Sequence, residues 1–212
     1  DIILPPPEDV IIRLARISRD KQFWQAVGNT TVRTIYGFII SLSAGFITGI
    51  VCGSNPRINA ALSPLISVIR TIPVMSIILL AMIWFKTDMV PVFVCFLMIF
   101  PIITANVSQG IRVVNKSFIE MAAAFKISKS NVMFHITIPS TIPFVLAGVR
   151  AAVGVAWKSV IAAEVLSQPI RAIGTGIQFS QMNLETAEVM AWTVIAIILS
   201  KISEIIVELI IK

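Results

Sequence analysis

Residues 89–111 read MVPVFVCFLMIFPIITANVSQGI, an uninterrupted uncharged run between Asp88 and Arg112. A hydrocarbon core of about 30 Å is crossed by roughly 20 helical residues. This run therefore has the length and apolarity of a transmembrane helix. Working outward, Thr34–Cys52 is also uncharged and stops at Gly53-Ser54-Asn55-Pro56, a strong helix terminator. Leu62–Phe85 reaches spanning length only by carrying Arg70 and Pro73 inside the helix. Val145–Leu166 holds Arg150, Lys158 and Glu164. Val189–Ile206 closes the series, with Lys201 and Glu204 able to snorkel to the interface. The expectation is an all-α polytopic membrane protein, one domain over residues 1–212, with about five transmembrane helices.

The totals agree. Hydrophobic residues make up 57% of the chain and charged residues only 13%, with a mean hydropathy of +0.92. Soluble domains carry about 25% charged residues, and disordered chains are poor in apolar residues, so both classes are excluded. The 17 basic residues exceed the 11 acidic ones but form no block. That argues for basic loops at anionic lipid headgroups and against nucleic acid. Cys52 and Cys95 lie inside apolar runs and read as small core hydrophobes, not as a disulfide or metal pair. No metal site is expected; His135 is the sole histidine, and Met75, Met82 and Met98 read as span packing.

Three stretches lie between the spans. Pro7–Lys21 reads as an amphipathic interfacial helix, with Val10, Leu14 and Ile17 on one side and Arg13, Arg16 and Arg19 on the other. It places residues 1–33 in an extracytoplasmic or interfacial segment. Ala172–Thr186, with Gly174-Thr175-Gly176, reads as a loop or a short re-entrant piece. Val113–Pro139 is the longest polar interruption. Ser117 to Glu120 fits a capping box and a second helix start follows at Ser128, so two short helices joined near Lys126 and Ile127 are expected, ending at a Pro139 stop.

Glu120-Met121-Ala122-Ala123, then Lys126, then Ile136-Thr137-Ile138-Pro139 resembles the EAA loop of ABC-importer permeases. The family pattern is Glu-Ala-Ala, three residues, Gly, nine residues, then Ile-x-Leu-Pro. Met121 departs from the first Ala and Lys126 from the Gly. A non-glycine residue in a left-handed turn costs of order 1 kcal/mol. Arg70-Thr71-Ile72-Pro73, Ala156-Trp157-Lys158 and Ala162-Ala163-Glu164 extend the resemblance across the chain, toward the nitrate/sulfonate/taurine/bicarbonate branch.

The resemblance implies a type I importer permease fold in a bacterial inner membrane, with a further helix upstream of Leu4-Pro5-Pro6. It implies a homodimer, two ABC ATPase subunits, an extracytoplasmic solute-binding protein and a small-molecule substrate. It makes residues 113–139 a cytoplasmic coupling loop, with Phe118, Glu120, Met121, Ala122, Ala123, Phe125, Lys126, Ile136 and Pro139 at the ATPase contact. No G-x-x-x-x-G-K-[ST] loop occurs in the chain, so ATP and magnesium belong on the partner and no cofactor or catalytic residue is expected here. Charge does not orient the chain, because the two sides tie in lysine and arginine.

Ionisable residues inside spans are the remaining candidates, since each is costly in lipid. Arg150, Gly154 and Lys158 share one helix face. They line a positive pathway, or else Arg150 anchors the helix end and Lys158 pairs with Glu164 or with a carbonyl from a neighbouring helix. Trp157 and Glu164 share another face and fit a dimer interface, while Arg70 is a gate or an inner-leaflet anchor. The rival from another class is a stand-alone secondary transporter, which needs an inverted repeat; no segment recurs.

Overall fold

The computed structural model describes residues 5–211, and among them every regular element is helical. The order is α1 (Pro7–Ile17), α2 (Lys21–Ser54), α3 (Pro56–Thr71), α4 (Val74–Trp84), α5 (Val90–Arg112), α6 (Lys116–Ala124), α7 (Lys129–Val132), α8 (Ile138–Ser167), α9 (Ile173–Met182) and α10 (Thr186–Ile211). A π turn, Met133–Thr137, joins α7 to α8.

By length and apolarity α2, α5 and the continuous rod Ser130–Ser167 can each cross a membrane, and the bent pair α3–α4 is either a fourth, broken span or a re-entrant loop. The last expected span, 189–206, lies within the 26 residues of α10. The stretch expected as one helix over Leu62–Phe85 is broken instead. Its two halves meet at 99°, because Pro73 has no N–H to give and disfavours helical backbone at Ile72, which turns extended (φ −66°, ψ 129°).

The expected stop at Pro139 does not occur. In a regular α-helix its ring would collide with the carbonyl four residues back. The π turn removes that clash, since the Ile138 N–H reaches back five residues to the Met133 oxygen and the wider turn lets the helix run on. Ala172–Thr186 is likewise mostly helix rather than loop, because α9 occupies most of it.

Helix α5 is the centre of the bundle. Its Cys95, Ile99, Ile103, Val107 and Ile111 pack on Ala152, Ala156 and Val160 of α8. On its other side α2 runs parallel to it: Gly37 faces Cys95, Gly45 faces Ile103 and Gly49 faces Val107. A Cβ on Gly49 would sit 2.5 Å from the Val107 Cβ, so only glycine permits this approach of the two backbones. α4 closes a second cluster on Val90, Val94 and Ala163. A third, of Phe23, Ala26, Ile173 and Trp192, joins the start of α2 to α9 and α10. The chain thus gathers Ser54, Arg112 and the α6–α7 hairpin at one end, and Asp88, Ser167 and α9 at the other.

Candidate functional site

The hairpin is built from its caps upward. Asn115, not Ser117, caps α6: its Oδ1 accepts from the Ser117 N–H at 2.9 Å. The expected capping box is therefore displaced, because Asn two residues earlier already satisfies the helix start. Ser128 opens α7 as expected, its Oγ accepting from the Asn131 N–H at 3.3 Å. Between them α6 ends in a Schellman motif. The Lys126 N–H donates to the Ala123 oxygen at 3.0 Å and the Ile127 N–H to the Ala122 oxygen at 2.9 Å. Lys126 stands at the left-handed position of that motif, with φ 55°.

This geometry sorts the hairpin residues. Phe118 and Met121 are each 49% exposed and Phe125 is 76% exposed. Spaced i, i+3 and i+7, they form one apolar stripe on the surface. Glu120, Ala123, Lys126 and Pro139 are exposed and Ile136 is half-buried. Ala122 faces inward and is wholly buried.

A second polar cluster lies at the opposite end. The wholly buried Glu164 carboxylate accepts from Thr30 Oγ1 at 3.0 and 2.9 Å, from Arg33 at 3.0 Å and from the Gly174 N–H at 3.2 Å. Thr30 Oγ1 also accepts from the Ile173 N–H at 3.0 Å, and Arg33 bonds Asp88 at 2.6 Å. One carboxylate thereby ties α2, α8, the start of α9 and the loop before α5. Glu164 pairs with Arg33 and not with Lys158, since Arg33 reaches it across the α2–α8 contact. Sequence reading missed Arg33, Thr30 and Asp88. The signal was present, because a lone buried carboxylate needs a cationic partner and Arg33 borders the first uncharged run.

Trp157 is buried, its Nε1 donating to Ser203 of α10 at 3.0 Å, and Glu164 lies inside the chain, so neither side chain is presented as an exposed interface residue. Lys158 is exposed and lines a cleft of about 500 Å³ between α8 and α10 with Lys201 and Glu204. Arg150 lines a neighbouring one of about 170 Å³ with Glu204 and Glu208. Arg70 lines a third cleft, at the hairpin end, between α3 and α5. Among the described residues no group of His, Cys, Asp or Glu could hold a metal ion.

Residues 42–212 match the family described as the binding-protein-dependent transport system inner membrane component. The chain belongs to this family. Among relatives, the bicarbonate transport system permease protein CmpB of Synechococcus elongatus is 31% identical over 72% of this chain and 55% of its own length. The taurine transport system permease protein TauC of Escherichia coli is 28% identical over 93% of this chain and 74% of its own. The nitrate import permease protein NrtB of Synechococcus elongatus is 35% identical over 63% of this chain and 48% of its own. The chain thus spans about half the length of the bicarbonate and nitrate relatives. A solved inward-facing MetNI methionine ABC transporter shares the fold, with a TM-score of 0.68 at 15% identity over 98% of this chain and 97% of that one. The chain is an ABC-importer permease of the nitrate/sulfonate/taurine/bicarbonate branch, with the type I importer fold, and a multi-pass protein of the bacterial inner membrane.

Proposed function

We propose that two copies of this permease form a translocation pathway for a small oxyanion-bearing solute, driven by two separate ABC ATPase subunits. An extracytoplasmic binding protein delivers the solute, and residues 113–139 carry the stroke of the ATPases into the membrane. The chain itself hydrolyses nothing. The observation that carries this reading is the stripe of Phe118, Met121 and Phe125, exposed at the tip of a capped hairpin. Exposed apolar side chains grouped on one rigid helix suit burial in a partner's groove, and Glu120 beside them supplies a polar rim. Arg150 and Lys158, exposed along the α8 face, support a water-lined path, because charges on a membrane helix are disfavoured against lipid. The oxyanion follows the relatives' names: bicarbonate, nitrate and the sulfonate of taurine share that chemistry.

The test is co-purification and ATP-driven uptake in proteoliposomes. Met121→Asp and Phe125→Asp should release the ATPase while the permease keeps its helicity and elution volume, and Glu120→Ala should uncouple hydrolysis from uptake. Retention of the ATPase and of full uptake in all three variants would refute the coupling role. Uptake that follows an ion gradient without ATP would establish the secondary transporter instead.

A further inference from the structure

The cleft between α3 and α5 has polar walls on both sides. Asn59, Ser67 and Arg70 of α3 face Ser108, Gln109 and Arg112 of α5 across about 280 Å³. The residues on each helix recur at helical spacing, so each helix turns one polar stripe toward the other. No residue of α3 is fully buried, which is why the gap between the two stripes stays open.

The electrostatics of this gap are one-sided. Two guanidinium groups line it and no carboxylate does. Every ion pair among the described residues leaves Arg70 and Arg112 out. Arg112 makes only a long contact, 3.5 Å, to the Cys52 carbonyl. Both side chains are exposed, and a guanidinium without a carboxylate partner is stable where water or an anion reaches it. Guanidinium forks bind planar and tetrahedral oxyanions through paired N–H donors, and hydroxyl and amide groups beside them complete an oxyanion's remaining acceptor positions.

From this juxtaposition we infer that the Arg70–Arg112 cleft is an oxyanion-binding site on the hairpin side of the permease. Its occupant is the travelling solute's oxyanion or the chemically equivalent phosphate of an anionic lipid headgroup, one with no choline to neutralise it. The assignment of this end to the cytoplasm rests on the proposed importer function. Arg112 ends α5 only three residues before Asn115 caps the hairpin helix. An anion here therefore sits against the turn from which α6 hangs, at the last polar station before the cytoplasm. Under an inside-negative potential an entering anion is pushed outward, and two unpaired cations on the inner half of its path offset that.

The test uses the complete permease–ATPase complex in nanodiscs of phosphatidylcholine alone. Phenylglyoxal labelling of arginines is followed by mass spectrometry in sodium nitrate against sodium chloride at equal ionic strength. With nitrate at about twice its Kd, mass action leaves about one third of sites open, so labelling of Arg70 and Arg112 slows about threefold. Arg57 and Arg171, exposed and outside the cleft, should label equally in both salts. A second arm adds phosphatidylglycerol. If a lipid phosphate is the occupant, Arg70 and Arg112 are protected relative to Arg57 before nitrate is added, and nitrate adds nothing.

As an independent readout, nitrate should raise the unfolding midpoint of the wild-type complex above its value in chloride. That difference should shrink in Arg70→Lys and vanish in Arg70→Gln/Arg112→Gln. Equal labelling in nitrate and chloride in phosphatidylcholine, with no protection on adding phosphatidylglycerol, would overturn the site. So would a nitrate-dependent midpoint that survives in the double variant. Protection with no ATP-driven uptake would overturn the importer reading and leave the site standing, and uptake without protection would do the reverse.

Discussion

Replacing Lys126 by glycine should tighten the hairpin. Lys126 occupies the left-handed position of the motif that ends α6, at φ 55°, where a Cβ meets the following carbonyl at a cost of about 1–2 kcal/mol. Glycine removes that cost but frees the unfolded chain, which returns about 0.4–1 kcal/mol. The surplus is about 0.5–1 kcal/mol in favour of the closed hairpin, a factor of about two to five in its opening equilibrium. The backbone bonds at stake are those from Lys126 to Ala123 and from Ile127 to Ala122. Amide hydrogen exchange of the purified complex reads them directly. In Lys126→Gly the Lys126-position and Ile127 amides should exchange about two- to fivefold more slowly, with α5 unchanged. Lys126→Val should move them the other way, because a β-branched side chain tolerates positive φ least. Unchanged or faster exchange in Lys126→Gly, together with a harmless Lys126→Val, would refute the argument that strain is stored at this turn.

Four further outcomes follow from the packing. Gly49→Ala puts a Cβ 2.5 Å from that of Val107 and should cost about 1–3 kcal/mol by overpacking. Gly28→Ala, which meets nothing within 4 Å, should stabilise α2 by about 0.5–1 kcal/mol; thermal unfolding in detergent compares the two. Glu164→Gln leaves Arg33 half-paired in a buried site and should cost about 3 kcal/mol or more. Asp88→Asn, at a carboxylate 64% exposed, should cost at most about 1 kcal/mol. Denaturation midpoints that rank Asp88→Asn as the more damaging would contradict the assignment of Glu164 as the central group.

What was legible in the sequence depended on whether the deciding interaction was local. The uncharged run through α5 announced a span because transfer to lipid depends on side chains one at a time. The two helices of the hairpin, and the turn between them, followed from Ser128 and from the positions flanking Lys126. The bend at Pro73 was harder, because apolar residues continue on both sides of it and the break lies in backbone geometry alone. Pro139 misled in the opposite direction, since a π turn absorbs a residue that ordinarily stops a helix. Glycines misled as well. Gly174 and Gly176 read as loop markers, yet among the described residues no glycine has positive φ, whereas Lys126, Gln168, Arg171 and Leu184 do. This chain uses glycine for close helix contact and lets larger residues take its left-handed turns.

The charges in the apolar bundle divide by the same physical rule that made the bundle visible. Where a charge is fully enclosed it is paired: Glu164 has Arg33, two hydroxyl contacts and a backbone N–H. Four cations outside the ion pairs, Arg70, Arg112, Arg150 and Lys158, are exposed and line clefts. Desolvation explains both halves of the pattern. An enclosed charge without a partner would unfold its surroundings, whereas an unpaired charge survives where a cleft lets water or a solute reach it. Glu164 therefore works on the architecture, holding α9 and the loop before α5 against α2 and α8. These four cations line both the α8–α10 clefts and the cleft beside the α6–α7 hairpin, as the proposed anion pathway requires. In the proposed mechanism the paired set stiffens one end of the bundle while the unpaired set stays free to exchange one anion for the next.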